Sequence, residues 1–182
     1  MNTLRSVVGG LGNLMFQHAF VVAERRRRNL DGHFPHSAEW FAGHEDMIKG
    51  LFGGNIGRDT RVSIHVRRTD YLDEGRPQFA LPLAYYEKAI DYFPHDRFLV
   101  FSDDIAWCRA NFTGVLFDFS DHVNEVDALN AMAACQHNII ANSSFSFWAA
   151  FLNPNPNRTV IAPSTWERGG WFPELPSDWV LV

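Results

Sequence analysis

The chain has 182 residues, a formal net charge of −5 and a hydrophobic fraction of 46%. This length fits one full domain with a small addition, and the composition is that of a soluble globular protein with a core. The negative charge excludes a global field that attracts nucleic acid. The one basic run, Arg25 to Arg28, predicts either the solvated end of a helix or a peripheral contact with anionic lipid.

Cysteine usage and apolar runs bear on the compartment. Cys108 and Cys135 form neither a CxxC pair nor a Cys/His metal spacing, so we expect two reduced core thiols. No apolar run of the signal-peptide type precedes the first motif, and the run from Phe147 to Leu152 is too short to span a bilayer. We therefore expect a cytoplasmic protein without a transmembrane helix.

The first part of the chain, residues 1–60, begins with a strand, a glycine turn and a helix. Residues 4–8 predict the strand, and apolar residues at helical spacing predict a helix over 13–28. The segment that follows predicts loops, one short helix around 42–51 and a turn at 53–55. We expect residues 1–60 to form a reduced N-terminal lobe.

From residue 61 onward, short strands alternate with helices. This alternation predicts βαβ units and a parallel sheet, and so an α/β fold with a Rossmann-like domain over 61–163. The tail, 164–182, is rich in Trp and Pro and predicts a packed irregular wrap. The predicted strands are 62–66, 98–101, 115–117, 138–141 and 159–162, and the predicted helices are 83–93, 105–111, 126–135 and 145–152.

The first predicted strand of this domain ends in two arginines and an aspartate. Period-two alternation places His65 and Arg67 on one face of the strand and Val66 on the other. Arginine suits a pyrophosphate because its planar fork makes bidentate, charge-assisted hydrogen bonds. The alternative is an internal ion pair between an arginine and Asp70. Ligands of such sheets bind at the carboxyl ends of the strands, where these residues lie.

Two further carboxylates lie near predicted strand ends or helix starts. Asp103 follows a strand and precedes a helix, where it either caps the helix or accepts hydrogen bonds from a base or ribose. Asp127 lies in the first turn of the next helix, where its spacing alone predicts compensation of the helix dipole.

Small hydroxyl residues open the helix over 145–152. Ser143, Ser144 and Ser146 follow a strand directly, and capping accounts for only one of them. Free backbone N–H groups, the helix dipole and hydroxyls together form a phosphate site, which is what we predict here. The glycine turn at 9–13 also precedes a helix and permits close backbone approach to a ligand.

No Asp-x-Asp pair occurs in the chain. Many sugar transferases use that pair to hold a divalent ion against a diphosphate. A metal-free enzyme would instead stabilise the leaving diphosphate with arginine and helix N-termini, and this sequence offers both. We therefore expect no metal.

Four motifs together resemble the α-1,2-fucosyltransferases of glycosyltransferase family 11. They cover the start of the chain and nearly all of 61–155. They are Gly-Gly-Leu-Gly-Asn-x-Met-Phe-Gln (9–17), His-Val-Arg-Arg-x-Asp-Tyr (65–71), Phe-Ser-Asp-Asp-Ile-x-Trp-Cys (101–108) and Ile-Ile-Ala-Asn-Ser-Ser-Phe-Ser-x-Trp-x-Ala (139–150).

The resemblance implies a GT-B-type fold, GDP-β-L-fucose as donor, inversion at the anomeric carbon and no metal. It implies a galactoside acceptor that is fucosylated on its 2-hydroxyl. By the same likeness Arg67 contacts the diphosphate, and His65 and Asp127 contact the guanine. The remaining donor contacts that we expect are Gly10, Asn13, Arg68, Asp103, Ser143, Ser144 and Phe145.

The sequence departs from the family pattern in four places. Leu14 stands where the family usually has Gln, His18 where it has Tyr, and Thr69 where it has Gly. The stretch 18–64 is far shorter than its counterpart in the family, which forms most of the acceptor-side domain. Two alternatives therefore stay open: a shortened, non-catalytic module that binds GDP or glycan, and a transferase with another acceptor or sugar nucleotide.

The implied reaction is a single displacement that needs a general base. Arg67, with or without Arg68, stabilises the leaving diphosphate. Asp70, Asp73 and Glu74 all lie just past the strand end and are candidates for the base. We expect Asp70 to orient an arginine, which leaves Glu74 as the first choice.

Overall fold

One sheet of six parallel strands organises the computed structural model, which describes residues 10–27, 45–54, 56–73, 75–166 and 175–182. Across the sheet the strands run in the order 3-2-1-4-5-6. This is the order of a doubly wound Rossmann-type sheet, so the expected α/β fold with a Rossmann-like parallel sheet is confirmed. The strands are β1 (Asp59–Val66), β2 (Phe98–Ser102), β3 (Phe117–Phe119), β4 (Cys135–Ile139), β5 (Val160–Ala162) and β6 (Val180–Leu181).

Helices cover both faces of the sheet, and each face has its own apolar core. Four helices belong to one core and two to the other. On the first face lie α1 (Leu11–Arg27), α2 (Glu45–Phe52), α6 (Glu125–Ala134) and α7 (Ser144–Leu152). On the second face lie α4 (Leu83–Ile90) and α5 (Ile105–Asn111), while α3 (Thr69–Asp73) and a 3₁₀ turn (Pro77–Phe79) follow β1.

Strand β1 separates the two cores by the alternation of its side chains. Val62, Ile64 and Val66 enter the core beneath α4 and α5. Between them Ser63 and His65 face the other way, and the His65 ring lies 5.6 Å from the ring of Phe145 in α7. The predicted alternation of His65 and Val66 is therefore confirmed.

Most predicted elements match within three residues, and the differences have local causes. β4 begins at Cys135, three residues early and inside the predicted helix 126–135, because Cys135 and His137 pair with β1 although Gln136 is exposed. The tail is not wholly irregular: β6 pairs with β5 in parallel. At five and three residues, α3 and the 3₁₀ turn are too short to produce a periodic pattern.

Other expectations fall on residues outside the described part of the chain. These are the strand at 4–8, the side chains of Arg25 to Arg28, and Asn55 of the predicted turn. Cys108 and Cys135 are free and buried, as expected. None of the helices in the described ranges has the length and apolar content needed to cross a bilayer.

A glycine fixes how α1 packs on the sheet layer. Gly12 is buried, and a Cβ on it would lie 2.6 Å from the backbone nitrogen of Phe145 and 2.6 Å from the carbonyl carbon of Ser144. Beside it, the Ser144 hydroxyl donates a hydrogen bond of 2.6 Å to Oδ1 of Asn13. The close backbone approach expected at the glycine turn is thus an approach of α1 to the start of α7.

Gly12→Ala should therefore destabilise the fold although alanine favours helix. Overpacking against rigid backbone typically costs about 1–3 kcal/mol, which exceeds the roughly 1 kcal/mol gain in helix propensity. Chemical denaturation measures the free energy of unfolding. Gly50→Ala in α2 is the matched control, because nothing lies within 4 Å of its added Cβ and it should be neutral or stabilising. Equal effects of the two variants would contradict the tight contact.

Candidate functional site

The strand order reverses between β1 and β4, and this places a crevice at their carboxyl ends. From β1 the chain runs to β2 and β3 on one side, then crosses to β4 on the other side. Parallel doubly wound sheets bind ligands at such a switch point. The loops after β1 and β4 meet there: the Tyr71 hydroxyl donates a hydrogen bond of 3.1 Å to the carbonyl of Asn142. Two of the motif segments predicted to share a site are thus adjacent.

Arg67 is held by two carboxylates at the end of β1. Its Nε and Nη2 donate to the two oxygens of Asp70 at 2.9 Å and 2.8 Å, and Nε lies 3.5 Å from Oδ2 of Asp103. Burial opposes the charged form, but the hydrogen bond to Asp70 and the charges of Asp103 and Asp70 together raise the pKa of Arg67. The side chain remains 37% exposed, so a permanent, oriented cation stays accessible just beyond the end of β1.

The sequence left two interpretations of Arg67 open: an ion pair with Asp70 and a contact with a pyrophosphate. The predicted ion pair between an arginine and Asp70 exists, and it orients the guanidinium. Because both carboxylate oxygens of Asp70 accept from Arg67, Asp70 is poorly placed to take a proton from another molecule. The ion pair does not exclude a ligand: of the residues that the structure describes, none forms a hydrogen bond with Nη1 of Arg67.

Asp103 and Asp104 follow β2 directly and differ in their contacts. The sequence predicted either a helix cap or a ligand contact there. Asp104 is the N-cap of α5 and accepts from the backbone N–H of Trp107 at 3.0 Å. Asp103 instead accepts from the backbone N–H groups of Arg68 at 2.9 Å and Thr69 at 3.1 Å. Asp104, and not Asp103, is therefore the helix cap, and contact of Asp103 with a nucleotide stays a prediction.

Arg68 packs on α5. Its guanidinium carbon lies 4.1 Å from the ring centre of Trp107, and its Nε lies 3.5 Å from Oδ2 of Asp104. The side chain is only 18% exposed. The aromatic face and the carboxylate hold this arginine on α5, although its buried Nε forms no hydrogen bond with a described residue. A contact of Arg68 with a donor stays a prediction.

His65 is a buried, neutral imidazole beneath the crevice. Only 4% of the residue is exposed, and its Nδ1 finds no hydrogen-bond partner among the described residues. Burial, aided by the charge of Arg67, lowers the pKa of His65 to about 3. A neutral imidazole can form hydrogen bonds without carrying a charge, and contact of His65 with a base stays a prediction because its Nδ1 is buried.

The serines that open α7 each have a protein partner. Ser143 is the N-cap and accepts from the backbone N–H of Phe145 at 3.3 Å. Ser144 bonds Asn13, and Ser146 donates to the carbonyls of Ala141 and Ser143 at 3.3 Å. Capping and packing thus account for all three hydroxyls, which weakens the argument from their number. The N–H groups at the start of α7 remain the feature suited to an anion.

Other predicted site residues lie at helix starts or outside the described chain. Gly10 is exposed at the start of α1, and Asp127 is exposed in the first turn of α6, where Asn124 is the cap. Glu74 lies outside the described residues, and Asp73 before it is exposed. In the part of the chain that the structure describes, no three His, Cys, Asp or Glu side chains cluster as metal ligands.

Sequence reasoning missed the role of Tyr71 and Asn142. The Asn142 side chain is buried and donates to the carbonyl of Phe79 at 2.9 Å, while its own carbonyl accepts from Tyr71. Together they connect the loop after β4 to the segment that follows α3. Because the partners are 71 and 63 residues apart, no local pattern could have revealed the contacts.

The buried His65 predicts a pH-dependent loss of stability in mild acid. The pKa of His65 is about 3 in the folded chain and 6.5 as its ordinary value, so between these values the unfolded state binds the extra proton. Stability is then full above about pH 6.5 and falls with decreasing pH, by up to about 1.4 kcal/mol per unit from this residue. Denaturation of the wild type and His65→Gln between pH 7 and 5 measures it, with the exposed His95→Gln as control. Equal slopes in all three would refute a neutral, buried His65.

The chain has recognisable relatives among characterised glycosyltransferases. An O-antigen biosynthesis glycosyltransferase, WbnK of Escherichia coli, is 34% identical over an alignment of 166 positions that covers 75% of this chain and 55% of the relative. An alpha-1,2-colitosyltransferase of Escherichia coli is 32% identical over an alignment of 178 positions that covers 82% of this chain and 61% of the relative. The galactoside 2-alpha-L-fucosyltransferase Sec1 of Mus musculus is 32% identical over an alignment of 118 positions that covers 58% of this chain and 32% of the relative.

These matches fix the family and also show its extent in this chain. The chain spans 55% and 61% of the length of the two bacterial relatives. No solved structure matches it. A family model described as glycosyl transferase family 11 matches residues 10–172, which include α1, β1, α3 and the start of α7. The chain belongs to glycosyltransferase family 11.

Proposed function

We propose that this protein transfers L-fucose from GDP-β-L-fucose to the 2-hydroxyl of a galactoside, with inversion and without a metal ion. The family and the relatives named for α-1,2 transfer support fucosyl-type chemistry. The observation that carries the proposal is the oriented guanidinium of Arg67 at the switch point between β1 and β4. Its placement matches what a leaving diphosphate needs.

The donor would bind with its diphosphate against Arg67 and the start of α7. Nη1 of Arg67 offers two N–H groups, while Nε and Nη2 are held by Asp70. The backbone N–H of Ser144 and the dipole of α7 add positive potential at the same edge. His65 beneath Phe145 and Asp127 on α6 are the proposed partners of the guanine. Gly10 and Asn13 at the start of α1 complete this set.

The reaction is a single displacement. The acceptor oxygen forms a bond to the anomeric carbon from the face opposite GDP, and the bond from that carbon to the phosphate oxygen breaks. The electron pair leaves with GDP, and a base takes the acceptor proton. Because Arg67 is already oriented by carboxylates, it stabilises the developing charge with little reorganisation.

Glu74 is the proposed base. Asp70 is occupied by Arg67, which leaves the carboxylates just beyond it. Glu74 lies between Asp73, at the end of α3, and the exposed Gly75, whose φ of +68° turns the chain there. We keep Asp73 as the neighbouring alternative.

Two other functions have a specific motivation. The alpha-1,2-colitosyltransferase relative motivates transfer of a different sugar, so colitose is the second donor to test. The short length relative to the bacterial relatives motivates a non-catalytic module that binds GDP or glycan. A panel of sugar nucleotides and acceptors separates both from fucosyl transfer.

Calorimetric titration of GDP and GDP-fucose in EDTA tests the donor site. We expect metal-free binding, and Arg67→Ala should raise the dissociation constant at least about tenfold through loss of a charge-assisted hydrogen bond. Arg61→Ala is the matched control: it removes an arginine that pairs with Asp59 and Asp118, about 20 Å earlier along β1. If the folded wild type binds neither ligand, the proposed function is wrong.

Glu74→Gln tests the base separately from the donor site. Turnover should fall by roughly 10²–10⁴-fold, the usual contribution of a general base, while GDP affinity stays unchanged. Asp73→Asn is the control for the neighbouring carboxylate. If Glu74→Gln retains turnover and Asp73→Asn loses it, the base is Asp73.

A further inference from the structure

Asp103, at the end of β2, makes four contacts with the loop that leaves β1. Its Oδ1 accepts from the backbone N–H of Arg68 at 2.9 Å, and its Oδ2 accepts from that of Thr69 at 3.1 Å. Its backbone carbonyl accepts from the Thr69 hydroxyl at 3.0 Å, and Oδ2 lies 3.5 Å from Nε of Arg67. One residue thus contacts three consecutive residues of the motif.

These contacts replace a cap that α3 cannot supply from its own sequence. The first N–H groups of a helix need acceptors, and the residue before the helix usually provides one from a short polar side chain. Here the residue before α3 is Arg68, which has no acceptor in its side chain and is stacked on Trp107. The carboxylate of Asp103 takes that place from the neighbouring strand.

The same carboxylate restrains Arg67. The charge of Asp103 is one of the causes that raise the pKa of Arg67, and its Oδ2 lies near Nε, on the side of the guanidinium that Asp70 holds. Asp70 itself lies on α3, and the first N–H group of α3, that of Thr69, donates to Asp103. Loss of Asp103 would therefore loosen both the arginine and the carboxylate that orients it.

We infer that Asp103 is a positioning residue that aims Arg67 at the donor diphosphate, and that it makes no contact with the nucleotide. This inference rests on the proposed function. Both carboxylate oxygens already accept from the chain, and the side chain is only 21% exposed. A ribose or base that bound Asp103 would have to share these oxygens with the backbone N–H groups of Arg68 and Thr69.

The first experiment tests, without any ligand, whether the Asp103 carboxylate holds the start of α3. Asp103→Asn keeps one acceptor but replaces the other with an NH2 group, which cannot accept from an N–H. Hydrogen exchange of the Arg68 and Thr69 amides should accelerate about tenfold or more. Asp118→Asn is the matched control: Asp118 pairs with Arg61 and Arg97, away from the carboxyl ends of the strands, and should leave those amides unchanged. Unchanged exchange in Asp103→Asn would show that the Asp103 carboxylate does not hold these two amides.

The second experiment is a double-mutant cycle on GDP affinity. Asp103→Asn alone should raise the dissociation constant about tenfold. In the Arg67→Ala background it should add almost nothing, because a positioning residue acts through the residue that it positions. If the two increases in the dissociation constant multiply in the double variant, Asp103 contacts the nucleotide itself. If the single variant Asp103→Asn keeps its affinity, Asp103 does not aim Arg67.

The outcomes separate the inference from the function on which it rests. If the wild type does not bind GDP, the proposed function is wrong, and the exchange data still decide whether Asp103 holds α3. If the wild type binds GDP in an Arg67-dependent way and Asp103→Asn binds equally well, the function stands and the positioning role of Asp103 is wrong.

Discussion

The parallel pairing of β1 with β4 is the constraint on which the site depends. Ser63 pairs with Asn138 and Ile64 with Ile139, so both strands end at the same edge. Because β2 and β3 lie on one side of this pair and β5 and β6 on the other, the chain must diverge there. The divergence opens a crevice between loops that are some seventy residues apart, as the bond between Tyr71 and Asn142 records. A buried network of Ser63, Asn138 and Asn153 joins these two strands to each other and to the end of α7.

The acidic and basic residues around the crevice are sorted into two separate sets. Arg67 associates with Asp70 and Asp103, whereas its neighbour Arg68 associates with Asp104 and Trp107. Adjacent residues in the sequence thus diverge, one toward the crevice and one onto α5. Fixed charges of this kind cost little reorganisation when a ligand arrives, and a water-poor surrounding strengthens them. A buried, neutral His65 beneath them contributes polarity without a competing cation.

The sequence predicted the parallel sheet and the polar strand ends well, because both follow from local patterns. Alternation along β1 places His65 opposite Val66, and the motif carries the arginines to the strand end. The sequence could not show which residues these side chains contact, since the contacts depend on strand register and on segments far apart in the chain. For Asp103 the sequence left open a cap of its own helix and a nucleotide contact, and it could not show that the carboxylate accepts from Arg68 and Thr69 at the start of α3. The three serines of α7 suggested an anion site by their number, and the fold gives each a protein partner. The assignment of Cys135 to a helix was wrong. Its pairing with β1 makes it a strand residue, and hydropathy does not reveal that pairing.

The contact between Gly12 and the start of α7 has a consequence for how the family can vary. It fastens α1 to the start of α7 by backbone packing and by the bond from Ser144 to Asn13. The segment between α1 and β1, which includes α2, is therefore held at both ends, and lengthening such a connection costs only slowly increasing entropy. A change in the length of that segment should therefore leave the packing of α1 against α7 intact.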